Sequence, residues 1–206
     1  MNIYINILIL VIFCYLLGSI QSGILLGKIF YKLDIRKFGS KSTGATNVNR
    51  VLGVKPGIIV LIMDILKGFI PILIIKLLFD DNLLGIIGSC SIVIGHCFPI
   101  FHKFRGGKGV AAGFGCVVIH IPAIALILII SLPIIVFTKF VSLGAIVGAF
   151  LSIILIFSLV IIGYLEYEYL ILGFIIPTII IFKHYPNFIR LINKTENKIS
   201  FNNASK

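Results

Sequence analysis

Residues 95–109 read GHCFPIFHKFRGGKG, and they gather His96, His102, Lys103, Arg105 and Lys108 in a chain with little charge elsewhere. Gly106, Gly107 and Gly109 bracket Lys108. Without a Cβ, backbone N–H groups can approach an anion closely, and successive amides can form a concave nest for it. A lysine inside that nest adds a point charge, so the segment reads as a phosphate cradle. It is not a Walker A loop, because His102 and Gly109 stand where that motif needs a Gly and a Ser or Thr. The plain alternative is a tight turn that obeys the positive-inside rule.

Two further clusters could hold anions. Residues 39–47 read Gly39-Ser40-Lys41-Ser42-Thr43-Gly44-Ala45-Thr46-Asn47, followed by Arg50. Hydroxyls, amides and an arginine fork suit an anionic, polyhydroxyl ligand. The third cluster is His184-Tyr185-Pro186-Asn187, then Arg190 and Glu196. If the chain after Pro186 is helical, Asn187 and Arg190 share a face, and His184 is a natural proton carrier near neutral pH. Solvated loops and a hydrogen-bonding interfacial histidine are the plain readings of these two clusters.

Three such clusters at one membrane face suggest two phosphate-bearing substrates, at least one of them lipid-like. Phosphoryl, acyl and alcohol-phosphatidyl transfer all remain open at this point. There is no serine in a G-x-S-x-G turn. There is no His-x4-Asp pair, since Phe101, Gly107, Ala125 and Ile189 stand five places after the four histidines. Acidic clusters that could hold Mg²⁺ are also missing. Activation must then come from a good leaving group and electrostatic cradling rather than from a strong base.

The elements that position these clusters are membrane helices. The 206 residues are 59% hydrophobic and 12% charged, with a mean hydropathy of +1.17, a balance foreign to soluble domains. A single polytopic domain over residues 1–206 is expected. The net charge of +11 fits basic cytoplasmic loops better than nucleic acid. The first apolar run is too long for a signal-peptide core and lacks its charged start and cleavage site. Cys14, Cys90, Cys97 and Cys116 show no CxxC pairing, so neither a disulfide nor a metal site is expected.

Apolar runs at 3–26, 57–79, 83–98 and 141–162 are long enough to span or nearly so. Residues 169–182 form the last one. Residues 28–55 read as a long polar loop. Asp64 and Lys67 sit three apart on one helical face inside a span, either as a plain ion pair or as part of the site. The block 110–137, interrupted by Pro122, is one kinked helix or two short ones. Two crossings place every Lys and Arg except Lys67 and Lys76 on one side. Asp80, Asp81, Glu166 and Glu168 then face the other. That bias favours an all-α bundle of seven transmembrane helices, N-terminus outside and C-terminus cytoplasmic. A transporter would more often carry matched, broken halves with polar groups at the midplane, and no internal repeat is visible.

The three clusters resemble motifs of the acyl-phosphate-dependent glycerol-3-phosphate acyltransferases of bacterial inner membranes, in order and across nearly the whole chain. The first stands as GSKSTGATNVNR, where the family has GSGNxGATNxxR. The second, GHCFPIFHKFRGGKGVA, matches throughout. In the third, His184, Asn187, Arg190, Leu191 and Glu196 match. Lys41, Ser42, Thr43, Gln21, Phe188 and Lys194 depart from the usual residues.

The resemblance implies a seven-helix membrane enzyme whose site faces the cytoplasm. It implies transfer of a fatty acyl group from acyl phosphate to the 1-hydroxyl of glycerol 3-phosphate, giving lysophosphatidic acid and phosphate in phospholipid synthesis. The departing phosphate would take the hydroxyl proton, with no metal and no cofactor. Position by position, Ser40 and Arg50 would bind and orient substrate phosphate. Lys108, with Gly106, Gly107 and Gly109, would form part of the cradle. His184 and Asn187 would contact glycerol 3-phosphate. Thr46 and Asn47 would line the binding site, and Glu196 would order the tail or touch substrate. Membrane lipid and an enzyme that produces acyl phosphate are the expected partners.

Overall fold

The computed structural model describes residues 3–79 and 81–199. Asp80, expected in an acidic turn, lies outside the described residues. Within them every regular element is a helix. The helices are α1 (Ile3–Ser19), α2 (Ser22–Tyr31), α3 (Ala45–Leu52), α4 (Val54–Phe79), α5 (Asn82–Cys97), α6 (Val110–His120), α7 (Ile127–Thr138), α8 (Val141–Ile161) and α9 (Tyr169–Ile192). Long apolar runs become helices because hydrocarbon offers no partner to an exposed backbone amide.

Four of the described helical stretches are long and apolar enough to cross a membrane: Val54–Phe79, Asn82–His102, Val141–Ile161 and Tyr169–Ile192. A fifth exists if α1 and α2 count as one span bent by 41°. The block expected as one kinked or two short helices is two short ones. α6 ends at His120, a 3-10 turn covers Pro122–Leu126, and α7 follows. Pro122 lacks the N–H that would bond the Val118 carbonyl, which favours a break here, although Pro71, Pro133, Pro177 and Pro186 lie inside helices.

Three boundaries differ from the expectations. The first run does not form one helix to residue 26. It breaks at Ile20 and Gln21, where Gln21 takes an extended backbone. The Gln21 side chain is buried and donates to the carbonyls of Ser19 and His96, at 3.4 and 3.2 Å. Thr43 donates to its Oε1 at 2.6 Å. One side chain thus ties the break to the first and second motifs. The stretch expected as a loop at 28–55 contains α3, which carries Thr46, Asn47 and Arg50 on a helix. α9 runs ten residues past its expected end, through Pro186.

α1 packs on α5, α4 on α6, and α9 on α8 and α5. Small residues let the first pair approach closely. A Cβ on Gly95 would run into the Tyr15 carbonyl, and one on Gly18 into that of Ile92. The main core gathers Cys14, Ile72, Ile86, Ile92, Cys116, Leu172 and Ile176. All four cysteines are buried free thiols. A smaller core of Leu26, Ile35, Val48 and Val60 lies under the first-motif loop. Leu8, Ile12, Ile58, Ile62, Ile129 and Ile154 are exposed, an apolar exterior that suits lipid rather than water.

Candidate active site

The first-motif loop is shaped by Asn47, which is 1% exposed. Its Oδ1 accepts from the amide and hydroxyl of Ser40, at 2.8 and 3.1 Å. Its Nδ2 donates to the carbonyls of Ile35, Phe38 and Ser42, the last at 2.8 Å. Asn47 therefore spends its side chain on the loop. Ser40 is thereby fixed at the mouth of a cavity of about 600 Å³, which Thr46 and Arg50 also line.

The second motif enters the same cavity through Lys108, Gly109, Val110 and Ala111. Gly109 has a positive φ of 84°, a conformation suited to glycine, and caps the start of α6. The opening amides of a helix have no partner within it, so they can face an anion. Gly106 and Gly107 do not line the cavity. The Gly107 amide donates to the His96 carbonyl at 3.1 Å, and a Cβ on Gly106 would strike that same carbonyl. Their lack of a side chain serves loop packing, and the Gly107 amide is spent on that contact.

The third motif meets both. His184 and Asn187 lie one turn apart on the buried face of α9, below Ile180 and Ile176. Lys108 Nζ donates to Asn187 Oδ1 at 2.6 Å. Asn187 Nδ2 donates to Glu196 Oε1 at 2.7 Å. Glu196 also accepts from Ser142 at 3.0 Å and from Arg190 Nε at 2.7 Å. Arg50 Nη2 donates to the carbonyl of Asn197 at 2.7 Å. Residues 193–199 are thus strapped across the cavity, with Ile199 donating to the Lys139 carbonyl at 2.8 Å. His184 Nδ1 lies 2.8 Å from the Ile180 carbonyl. A carbonyl only accepts, so Nδ1 carries the proton, and a neutral ring keeps its lone pair on Nε2.

The cations outweigh the acids here. Burial holds Lys108 down to about 8, against the attraction of Glu196 and with the help of Arg190, Arg50 and Lys183. Burial also lowers Arg50, with Glu196 opposing and Arg190 assisting. Arg50 Nε is buried without a partner among the described residues. Burial opposes ionisation of Glu196, but its bonds from Asn187, Arg190 and Ser142 hold it below the usual carboxylate range. A site of buried, under-neutralised cations favours an anionic ligand. Away from this polar end the cavity becomes apolar, walled by Ile124, Leu128, Ile156, Leu172 and Ile176. A phosphate group at one end and a hydrocarbon chain at the other would both be accommodated.

Some contributors to the site, Ser142 and Asp64 among them, lie outside the three motifs, and His96 belongs to the second. Ser142 opens α8 and anchors Glu196. Asp64 and His96 line the cavity too, and Asp64 joins Lys67 at 3.2 Å and Ser22 at 2.8 Å. The spacing of Asp64 and Lys67 signals the ion pair. No spacing in the sequence pairs Ser22 with Asp64 or Ser142 with Glu196.

The family model described as glycerol-3-phosphate acyltransferase matches residues 8–194. A glycerol-3-phosphate acyltransferase of Fusobacterium nucleatum is 44% identical over 195 residues, covering 93% of this chain and 97% of its own. One from Listeria monocytogenes is 40% identical, covering 96% and 98%. The crystal structure of PlsY, an integral membrane glycerol 3-phosphate acyltransferase, in its glycerol 3-phosphate form is 38% identical with a TM-score of 0.85. That match covers 95% of this chain and 96% of the other. Its lysophosphatidic acid form gives 37% and 0.82, with the same coverage.

Proposed function

The chain belongs to the glycerol-3-phosphate acyltransferase family, and from that membership we propose that it transfers a fatty acyl group from acyl phosphate to the 1-hydroxyl of glycerol 3-phosphate. The products are lysophosphatidic acid and inorganic phosphate. The observation that carries this reading is the convergence of Arg50, Lys108 and His184, from three separate motifs, on one cavity that is cationic at one end and apolar at the other.

Arg50, Lys108 and the first turn of α6 hold phosphate oxygens, with Ser40 and Thr46 as hydroxyl donors. Gly106, Gly107 and Gly109 shape the cradle, and Asn47 keeps Ser40 in place. His184 Nε2 accepts from a glycerol hydroxyl, and Asn187 orients Lys108 beside it. Glu196 holds the tail over the bound reactants. The hydroxyl oxygen attacks the acyl carbon, the bond from that carbon to the phosphate oxygen breaks, and the departing phosphate takes the hydroxyl proton. The cations stabilise charge on the leaving group, so no protein base is required. The acyl chain lies along the apolar wall.

In this reading residues 1–206 are one membrane domain of seven spans. α6 and the Pro122–Thr138 segment are short crossings, the N-terminus is outside, and the site opens to the cytoplasm. The near-exclusive placement of Lys and Arg on one side supports it. Purified protein in lipid discs is expected to release phosphate only when acyl phosphate and glycerol 3-phosphate are both present. Acyl transfer from acyl-CoA, with acyl phosphate inert, would overturn the donor assignment.

A further inference from the structure

Behind Lys108 lies a buried polar chain that the acyl-transfer scheme does not use. Lys67 Nζ touches three acceptors: the Ile20 carbonyl at 2.8 Å, Asp64 Oδ1 at 3.2 Å and His96 Nδ1 at 2.9 Å. Ser22 adds a hydroxyl to Asp64 Oδ1 at 2.8 Å. An amine ion-paired with a carboxylate is an ammonium, which has three donors and no acceptor. All three donors are engaged. His96 Nδ1 must therefore be the lone-pair nitrogen, and the proton of the neutral ring sits on Nε2.

That Nε2 points toward the phosphate loop. A Cβ added to Gly107 would collide with His96 Nε2, and Lys108 is the next residue. His96 is 3% exposed and lines the cavity. Its Nε2 has no hydrogen-bond partner among the described residues. Nε2 is not one of the fully buried side-chain atoms without a partner, so it is open to the cavity that His96 lines, and a ligand there can supply its acceptor. An acceptor-rich anion such as phosphate is the ligand chemistry that fits an N–H beside a lysine.

We propose that Lys67 is a positioning residue: by filling His96 Nδ1 it holds the ring as the Nε2–H tautomer and presents that N–H to a phosphate oxygen bound beside Lys108. The inference deepens the reading of the cavity as a phosphate site and rests on it. It also distinguishes the two cavity histidines. His184, bonded through Nδ1–H to the Ile180 carbonyl, offers an acceptor, whereas His96 offers a donor.

The test is nitrogen NMR of the full chain in lipid discs, with isotopically labelled histidine and His96 assigned by the signals lost in His96→Gln. The expected spectrum has a pyridine-type Nδ1 and a pyrrole-type Nε2 for His96, and titration with inorganic phosphate shifts the Nε2 signal. In Lys67→Met the two tautomers should exchange, and phosphate should bind about tenfold more weakly. A protonated Nδ1 in the unsubstituted protein, an Nε2 signal unmoved by phosphate, or an unchanged tautomer in Lys67→Met would each overturn the proposal. Should Lys67→Met fail to fold, the unsubstituted spectrum and its phosphate titration decide alone. None of these readouts needs turnover. Protein with these signals but no acyl transfer would sink the activity and keep the tautomer, and active protein with a protonated Nδ1 would do the reverse.

Discussion

Lys108 and Asn187, 79 residues apart in the chain, are joined by a 2.6 Å bond from Nζ to Oδ1. The amide on the other side of Asn187 reaches Glu196. The lysine that charges the cavity is thereby aimed by α9, and α9 in turn holds the tail. Removing the lysine should therefore abolish chemistry without dismantling the bundle. Lys108→Ala is expected to lower kcat about a hundredfold or more, with thermal unfolding in detergent little changed. The comparison of initial rates with melting curves checks both halves.

The protonation of Lys108 sets a limit on activity at high pH. Burial lowers its value to about 8, so its charge is present below that pH and is lost as pH rises through it. The plot of kcat/KM, which reports the free enzyme, is expected to fall above pH about 8. In Lys108→Arg the descending limb should move to higher pH, because guanidinium stays charged. An unmoved limb would assign it to another group.

Glu196 governs the strap. Burial works against its charge, yet bonds from Asn187, Arg190 and Ser142 keep its value lowered. Its contribution is thus complete above the ordinary carboxylate range and is lost as pH falls through the lowered value. Lys194 and Lys198 are already exposed, so Glu196→Ala, by loosening the strap, is expected to speed tryptic cleavage after them and to raise KM for glycerol 3-phosphate. Limited proteolysis alongside steady-state kinetics tests this.

Asn47 carries the first-motif loop on five bonds. Asn47→Ala strands several buried groups and is expected to cost about 2–3 kcal/mol of stability. Unlike Lys108→Ala, it should lower the melting temperature along with activity.

These contrasts show what a sequence can and cannot carry. Ser40, Arg50, Lys108, His184 and Glu196 were legible because a motif records residue type at fixed spacing, and all five line one cavity. The Asp64 and Lys67 pair was legible from helical periodicity. Ser22 and His96, which complete that network, come from 42 and 29 residues away, and only helix packing brings them in. The anchoring role of Asn47 depends on loop carbonyls whose directions no spacing encodes. Gly106 and Gly107 read as amide donors, but contact with His96 turns them to packing. The break at Gln21 follows from tertiary bonds to Thr43 and His96 rather than from local propensity.

The central claim is that cations from separate motifs hold the phosphate-bearing reactants together in one cavity. Calorimetric titration of glycerol 3-phosphate into the full chain in lipid discs tests it most directly. The account expects saturable binding, at least about tenfold weaker in Arg50→Ala and in Lys108→Ala, and none for glycerol. Unchanged affinity in both variants, or equal binding of glycerol, would contradict it.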